Sequence, residues 1–304
     1  MNTSIDLDGA LPLTHWGLIR ARGTDAASFL QGQLTNDVAA LRDGEVRLAG
    51  FCSAKGRLQA SFIVWKIADD ELLLACAASV LPATLKRMSM FVLRAKCKLS
   101  DASAELPPRG FVGASARALM GGDMPAWTQR VVDGGSLVRL PDVDGVARCI
   151  LASNPGADIS PTLALQTWRE LEVRSGIPII EAATVDQFVP QMLNYEIVGG
   201  VDFRKGCYPG QEVVARSQYR GTIKRRMFLF ECDAALAAGQ EVFHSGDPAQ
   251  PAGMVVNAAG SMALVEVKLA TLDTGSLHAG AADGAVLRRC ELPYALPADA
   301  SLMA

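Results

Sequence analysis

The chain of 304 residues reads as an α+β protein that ends in a small antiparallel β-barrel. Three observations predict this. A three-strand meander is written between residues 45 and 75, a helix with clean stop signals ends at Arg174, and residues 224–292 break into short apolar runs.

The elements follow in order. Thr24 is read as an N-cap, with Asp25 in the first turn and Phe29, Leu30 and Leu34 on one side of a helix. After Asp43-Gly44 a strand is predicted over 45–51. The turn at Lys55-Gly56 leads into a second strand over 58–67, and Asp69-Asp70 returns the chain into a third. Ser79 is expected to cap a short helix that tolerates Pro82 in its first turn. Residues 91–99 alternate, with Leu93, Ala95, Cys97 and Leu99 on one face and Arg94, Lys96 and Lys98 on the other. A strand with Cys97 in the core is predicted. His15 falls in the first predicted strand, His244 in a turn and His278 in a loop. Residues 101–161 carry only weak strand signals among Pro, Gly and Asp. The helix over 161–174 places Leu165, Trp168 and Leu171 or Glu172 at helical spacing, and Gly176 and Pro178 stop it. Runs at 227–230, 253–256, 262–267 and 285–287, separated by Gly, Asp and Pro, have barrel spacing. A domain boundary is placed near Gly221, which gives 1–221 and 222–304.

Composition removes several function classes. Half the residues are hydrophobic and 20% are charged, so the chain folds. The apolar stretch from Leu72 to Leu85 contains Ser79, Pro82 and Thr84 and is too short for a spanning helix, so no membrane role is expected. No signal peptide is read at the N-terminus. Seven cysteines without a CxxC argue against a disulfide framework or a local zinc or cluster site. They point to free thiols in a cytoplasmic protein with no stably bound metal. The net charge of −3 excludes a globally basic nucleic-acid coat.

The chemistry concentrates in residues 203–216. Two glycines, a proline and a tyrosine within five residues force a constrained loop. Between Arg204 and Arg226 stand seven basic residues and one acid, Glu212: a solvated basic face or an anion site. Arg204 and Lys205 precede Cys207 and would favour its thiolate.

Lys205-Gly-Cys-Tyr-Pro-Gly-Gln-Glu212 resembles the K-G-C-Y-x-G-Q-E signature of the YgfZ-type folate-binding proteins, a family related to the glycine-cleavage T-protein, an aminomethyltransferase. Residues 29–37 (FLQGQLTND), 54–57 (AKGR), 176–183, 188–194, 199–203, 220–225 (RGTIKR) and 292–296 match further family blocks in order. The resemblance implies two interlocked α+β subdomains around a folate cleft, followed by the barrel. It implies tetrahydrofolate or a derivative as cofactor, and iron–sulfur client enzymes or assembly factors as partners, including enzymes that methylthiolate tRNA. By carry-over, Gln31, Asn36, Asn194, Tyr208, Gln211 and Glu212 are candidate cofactor contacts. Arg216 and Arg220 are candidates for the glutamate carboxylates. Lys205, Gly206 and Gly210 shape the loop, and Cys207 is the candidate redox or transient sulfur or metal ligand. Ala60-Ser61 stand where the T-protein carries an aspartate pair, which disfavours aminomethyl transfer and any enzymatic role built on it. Phe51 and Ser53 stand where some relatives carry His and Asp. Two other readings stay open: a folate-dependent one-carbon transferase or demethylase, and a tRNA-binding module built on the 204–226 cations.

Overall fold

In this computed structural model the described residues are 7–155, 161–219 and 223–297. The first strand, β1 (Gly9–Pro12), leaves for one sheet, and the chain crosses at once into another through β2 (Trp16–Arg22). Helix α1 (Ala26–Gln31) precedes the meander β3 (Val46–Cys52), β4 (Leu58–Ala68) and β5 (Glu71–Ala77). After α2 (Leu81–Ser89), strand β6 (Lys98–Asp101) completes a five-stranded antiparallel sheet in the order β3-β4-β5-β2-β6. The chain then rejoins β1 with β7 (Pro108–Val112), α3 (Gly113–Met120), β8 (Thr128–Val132), β9 (Gly135–Val143) and β10 (Val146–Ser153), giving a second sheet ordered β1-β7-β10-β9-β8. The two subdomains are thus interlocked by β1.

Period-two alternation sorts the side chains between layers. Leu48, Ile63, Trp65 and Leu73 turn toward the second sheet and meet Leu140, Val138 and Ile150. Their neighbours Ala49, Phe62, Val64 and Leu74 turn the other way, under α1 and α2. With both faces buried, the first sheet reads as near-continuous apolar sequence. The second sheet is covered on its outer side by α3, through Ala116 and Met120 against Leu137 and Cys149.

Helix α4 (Leu165–Arg174) and an irregular segment carry the chain to α5 (Gln211–Tyr219). The barrel comprises β11 (Arg225–Glu231), β12 (Glu241–His244), β13 (Asp247–Ala259), β14 (Met262–Lys268), β15 (Leu277–Ala279) and β16 (Val286–Cys290). It closes in the order β11-β14-β13-β12-β15-β16. Phe228 and Phe230 fill its interior, while Met227 and Leu229 face outward onto Leu58, Val173 and Ile180.

Several local expectations are corrected. Residues 91–97 are turns, and only Lys98–Asp101 form strand. Strand β2 offers pairing only from Ile19 to Arg22, so the chain leaving α2 must first bend back. It does so with Leu93 at φ 41° and 87% exposed, and the Asp25 carboxylate accepts from the Lys96 amide at 2.7 Å. Cys97 is half-buried. Asp25, not Thr24, and Val80, not Ser79, stand at the helix N-caps. The Ser79 hydroxyl accepts from the Ala182 amide instead. His15 occupies the turn before β2, His244 ends β12 and His278 lies in β15. The stretch after 101 holds four strands, and one of its hairpins turns on Asp144-Gly145, both at positive φ, the signature of a type I′ turn.

Candidate functional site

Three distant blocks meet at the loop around Cys207. The Lys205 side chain is buried, and its ammonium donates to the carbonyls of Gln31 and Leu34 while lying 4.9 Å over the Tyr208 ring. Desolvation lowers its pKa to about 8 against the opposing pull of Asp37 and Asp202. Gly210 sits at φ 78° against the turn after β3. A Cβ there would lie 2.4 Å from the Ser53 carbonyl, so this crossing requires glycine. Gln191 holds α5 from below, its amide donating to the Val214 carbonyl at 2.8 Å.

The sequence-predicted residues divide by what they do in this junction. Asn36 is buried and donates to the carbonyls of Leu48 and Gly199. Asn194, at φ 56°, is also buried. It donates to the Met227 carbonyl at 2.7 Å and accepts from Arg226. The Gln31 amide oxygen accepts from the Val38 and Ala39 amides. Tyr208 is buried, and burial pushes its phenol well up. Gly206, Cys207, Glu212 and Arg216 are exposed and Gln211 is half-buried. Arg220 lies outside the described residues. Cys207 is the one fully exposed cysteine of the seven.

The run of cations from 204 to 226 does not form one face. Arg225 pairs with the buried Glu266, and Arg226 pairs with Glu196 at 2.6 Å, both acids distant in sequence. Lys205 points inward, which leaves Arg204, Arg216 and Lys224 exposed among the described residues.

A second constellation, which sequence reading missed, lies between the two sheets. A cavity of about 30 Å³ is lined by Trp16, Leu48, Ser61, Trp127, Arg148, Glu172 and Tyr195, among others. Glu172 and Trp168 are one helical turn apart on α4. The carboxylate accepts from the Trp16 and Trp168 indoles, both at 2.6 Å, and from His15 Nε2 at 2.8 Å. The Arg148 guanidinium, 2% exposed, lies 5.9 Å from the Trp168 ring and donates weakly to the Pro141 carbonyl at 3.3 Å. Burial lowers its pKa to about 10, with Glu172 opposing. Two signals could have found this pair. One is a glutamate on the buried stripe of α4; the other is an arginine at an inward position of a strand. Ser61 lines the same cavity, and its hydroxyl accepts from the Ile180 amide at 2.9 Å. None of the residues carried over from the loop signature lines this cavity. A larger groove of about 740 Å³ flanks residues 292–297 on the barrel and touches none of them either.

Among the described residues no group of three or more His, Cys, Asp or Glu is placed to hold a metal ion. No helix is long and apolar enough to cross a membrane.

Residues 9–128 match the model of the GCVT N-terminal domain. Over 241 residues, 74% of each chain, the sequence is 30% identical to the tRNA-modifying protein YgfZ of Escherichia fergusonii. The chain belongs to the YgfZ family. Its fold is that of the glycine cleavage system aminomethyltransferase T from Bartonella henselae. The two superpose with a TM-score of 0.75 at 15% identity, over 96% of this chain and 87% of that one. The likeness to the T-protein neighbour extends over nearly the whole chain, the interlocked sheets and the terminal barrel together.

Proposed function

We propose that this YgfZ-family chain is a cytoplasmic, folate-binding accessory protein that serves iron–sulfur enzymes of tRNA modification. The observation that carries the folate reading is a cavity between the sheets whose wall is mostly apolar and aromatic and carries a few polar groups, Glu172 and Arg148 among them. A pterin presents an amino and ring N–H edge beside a carbonyl. Glu172 retains a lone-pair position on Oε2 for the N–H edge, and Arg148 supplies donors for the carbonyl. Trp16, Trp127 and Tyr195 offer aromatic walls. At about 30 Å³ the cavity holds roughly two waters. Binding therefore requires the sheets or the 177–179 segment to part. Arg216, exposed on α5, is the proposed partner for the glutamate tail.

Folate bound there would supply the one-carbon chemistry of its ring. The residues of this chain orient it. No carboxylate from β4 enters the cavity, because Ala60 is buried under the helices and Ser61 caps the Ile180 amide. This supports an accessory role over aminomethyl transfer. In this proposal Cys207, exposed beside the Lys205 ammonium, is the thiol that a client meets. Cys207→Ser is expected to lower cluster occupancy in a tRNA-methylthiolating client while leaving the fold and folate binding unchanged. Unchanged occupancy would remove the thiol from the account.

A further inference from the structure

The segment after α2 presents a surface that the folate reading does not use. Between residues 86 and 98 stand five cations, Lys86, Arg87, Arg94, Lys96 and Lys98, and no acid, in a chain of net charge −3. All five are exposed, and among the described residues none is drawn into an ion pair. Framed by them, Met90, Phe91 and Leu93 are 59%, 43% and 87% exposed. Leu93 carries a second cost, since its left-handed backbone at φ 41° is unfavourable for a branched apolar residue.

The position of this surface gives it a use. The α1 N-cap, Asp25, grips the Lys96 backbone at both its amide and its carbonyl. The other end of α1 is where Lys205 of the Cys207 loop is anchored, on Gln31 and Leu34. Helix α1 is six residues long, about 9 Å at 1.5 Å per residue. The Lys96 end of this surface and the Lys205 anchor of the Cys207 loop therefore sit at opposite ends of one short helix.

We infer that residues 86–98 form an RNA-docking surface, with the five cations on phosphates and Phe91, flanked by Met90 and Leu93, against an unstacked base. Dense unpaired positive charge around a single aromatic suits a polyphosphate carrying planar bases. The inference rests on the tRNA-linked reading of the family, and it moves the RNA contact from 204–226 to the far end of α1.

The test uses the full chain and a labelled, in vitro transcribed tRNA, with binding followed by anisotropy across a salt series. Arg94→Ala/Lys96→Ala/Lys98→Ala is expected to weaken binding at least tenfold. It should also flatten the slope of log K against log salt by about 2 to 3, as three lost phosphate contacts require. Leu93→Asn suits the left-handed backbone, so it should keep the thermal midpoint while weakening binding several-fold. Equal binding by wild type and both variants would overturn the proposal. So would absence of tRNA binding together with charge-dependent capture by phosphatidylserine vesicles, which would make the surface a membrane contact. Tetrahydrofolate affinity of the triple variant is expected to match wild type. Folate failure with RNA binding intact would strike the cavity reading alone.

Discussion

Glu172 is the residue whose replacement tests the buried constellation most sharply. Glu172→Gln keeps the shape and one acceptor oxygen but removes the charge. The two indole bonds at 2.6 Å are then made to a neutral acceptor. Hydrogen bonds to charged groups are worth about 1.5–3 kcal/mol and neutral ones about 0.5–1.5, so the pair loses about 2 kcal/mol. The Arg148 guanidinium, 2% exposed, also loses its counter-charge, which adds about 1 kcal/mol. The expected destabilisation is about 3 kcal/mol, read from urea unfolding. Tryptophan fluorescence is a direct probe, because Trp16 and Trp168 both donate to the substituted group. Adding Arg148→Met should recover about 1 kcal/mol, a coupling that a double-mutant cycle resolves. A single-variant cost under 0.5 kcal/mol, or strict additivity, would refute the argument that this carboxylate organises the cavity.

Three further outcomes are expected. Gly210→Ala should cost about 3 kcal/mol, because both φ 78° and the Ser53 carbonyl oppose a Cβ. Gly121→Ala, at φ 62° with open space, should cost about 1–2 kcal/mol, and equal losses would deny the close crossing. A maleimide at neutral pH should label one thiol rapidly, since Cys52, Cys76 and Cys149 are buried with pKa values pushed up to about 12. Cys207→Ser should abolish the fast phase, and a fast phase that survives would place the reactive thiol elsewhere. Lys205 has a folded pKa near 8, below its unfolded value of about 10.5, so the folded state holds fewer protons between them. Stability relative to Lys205→Met should therefore rise as pH climbs from about 8 to 10.5; a flat difference would mean that the ammonium is not desolvated.

Much of the fold was legible because local and long-range signals agreed. The meander from Val46 to Ala77 is a set of apolar runs bounded by Asp43-Gly44, Lys55-Gly56 and Asp69-Asp70, so its strands fall close to where the turn residues put them. Residues 91–97 show the limit of that logic. Their alternation is genuine, but a strand needs a pairing partner, and β2 offers only four positions. The loop signature led directly to the junction at Cys207, since its glycines and proline have one physical use. Periodicity could not show that Asn36, Asn194 and Lys205 spend their polar groups inside that junction. The cavity was invisible for a different reason. Its lining comes from β2, β3, β4, β9, β10, α4 and the segments at 127 and 175–195, and no local pattern links His15 to Glu172 across 157 positions. The cations of 204–226 looked like one patch only because Glu196 and Glu266, which neutralise two of them, lie outside that window.

The measurement that bears most directly on the central claim is an anaerobic tetrahydrofolate titration followed by tryptophan fluorescence. It should be run on wild type, Glu172→Gln and Cys207→Ala under conditions where all three are folded. The cavity account predicts saturable quenching in wild type and Cys207→Ala, and affinity at least tenfold weaker in Glu172→Gln. Saturable binding unaffected by Glu172→Gln, or no binding at all, would contradict it.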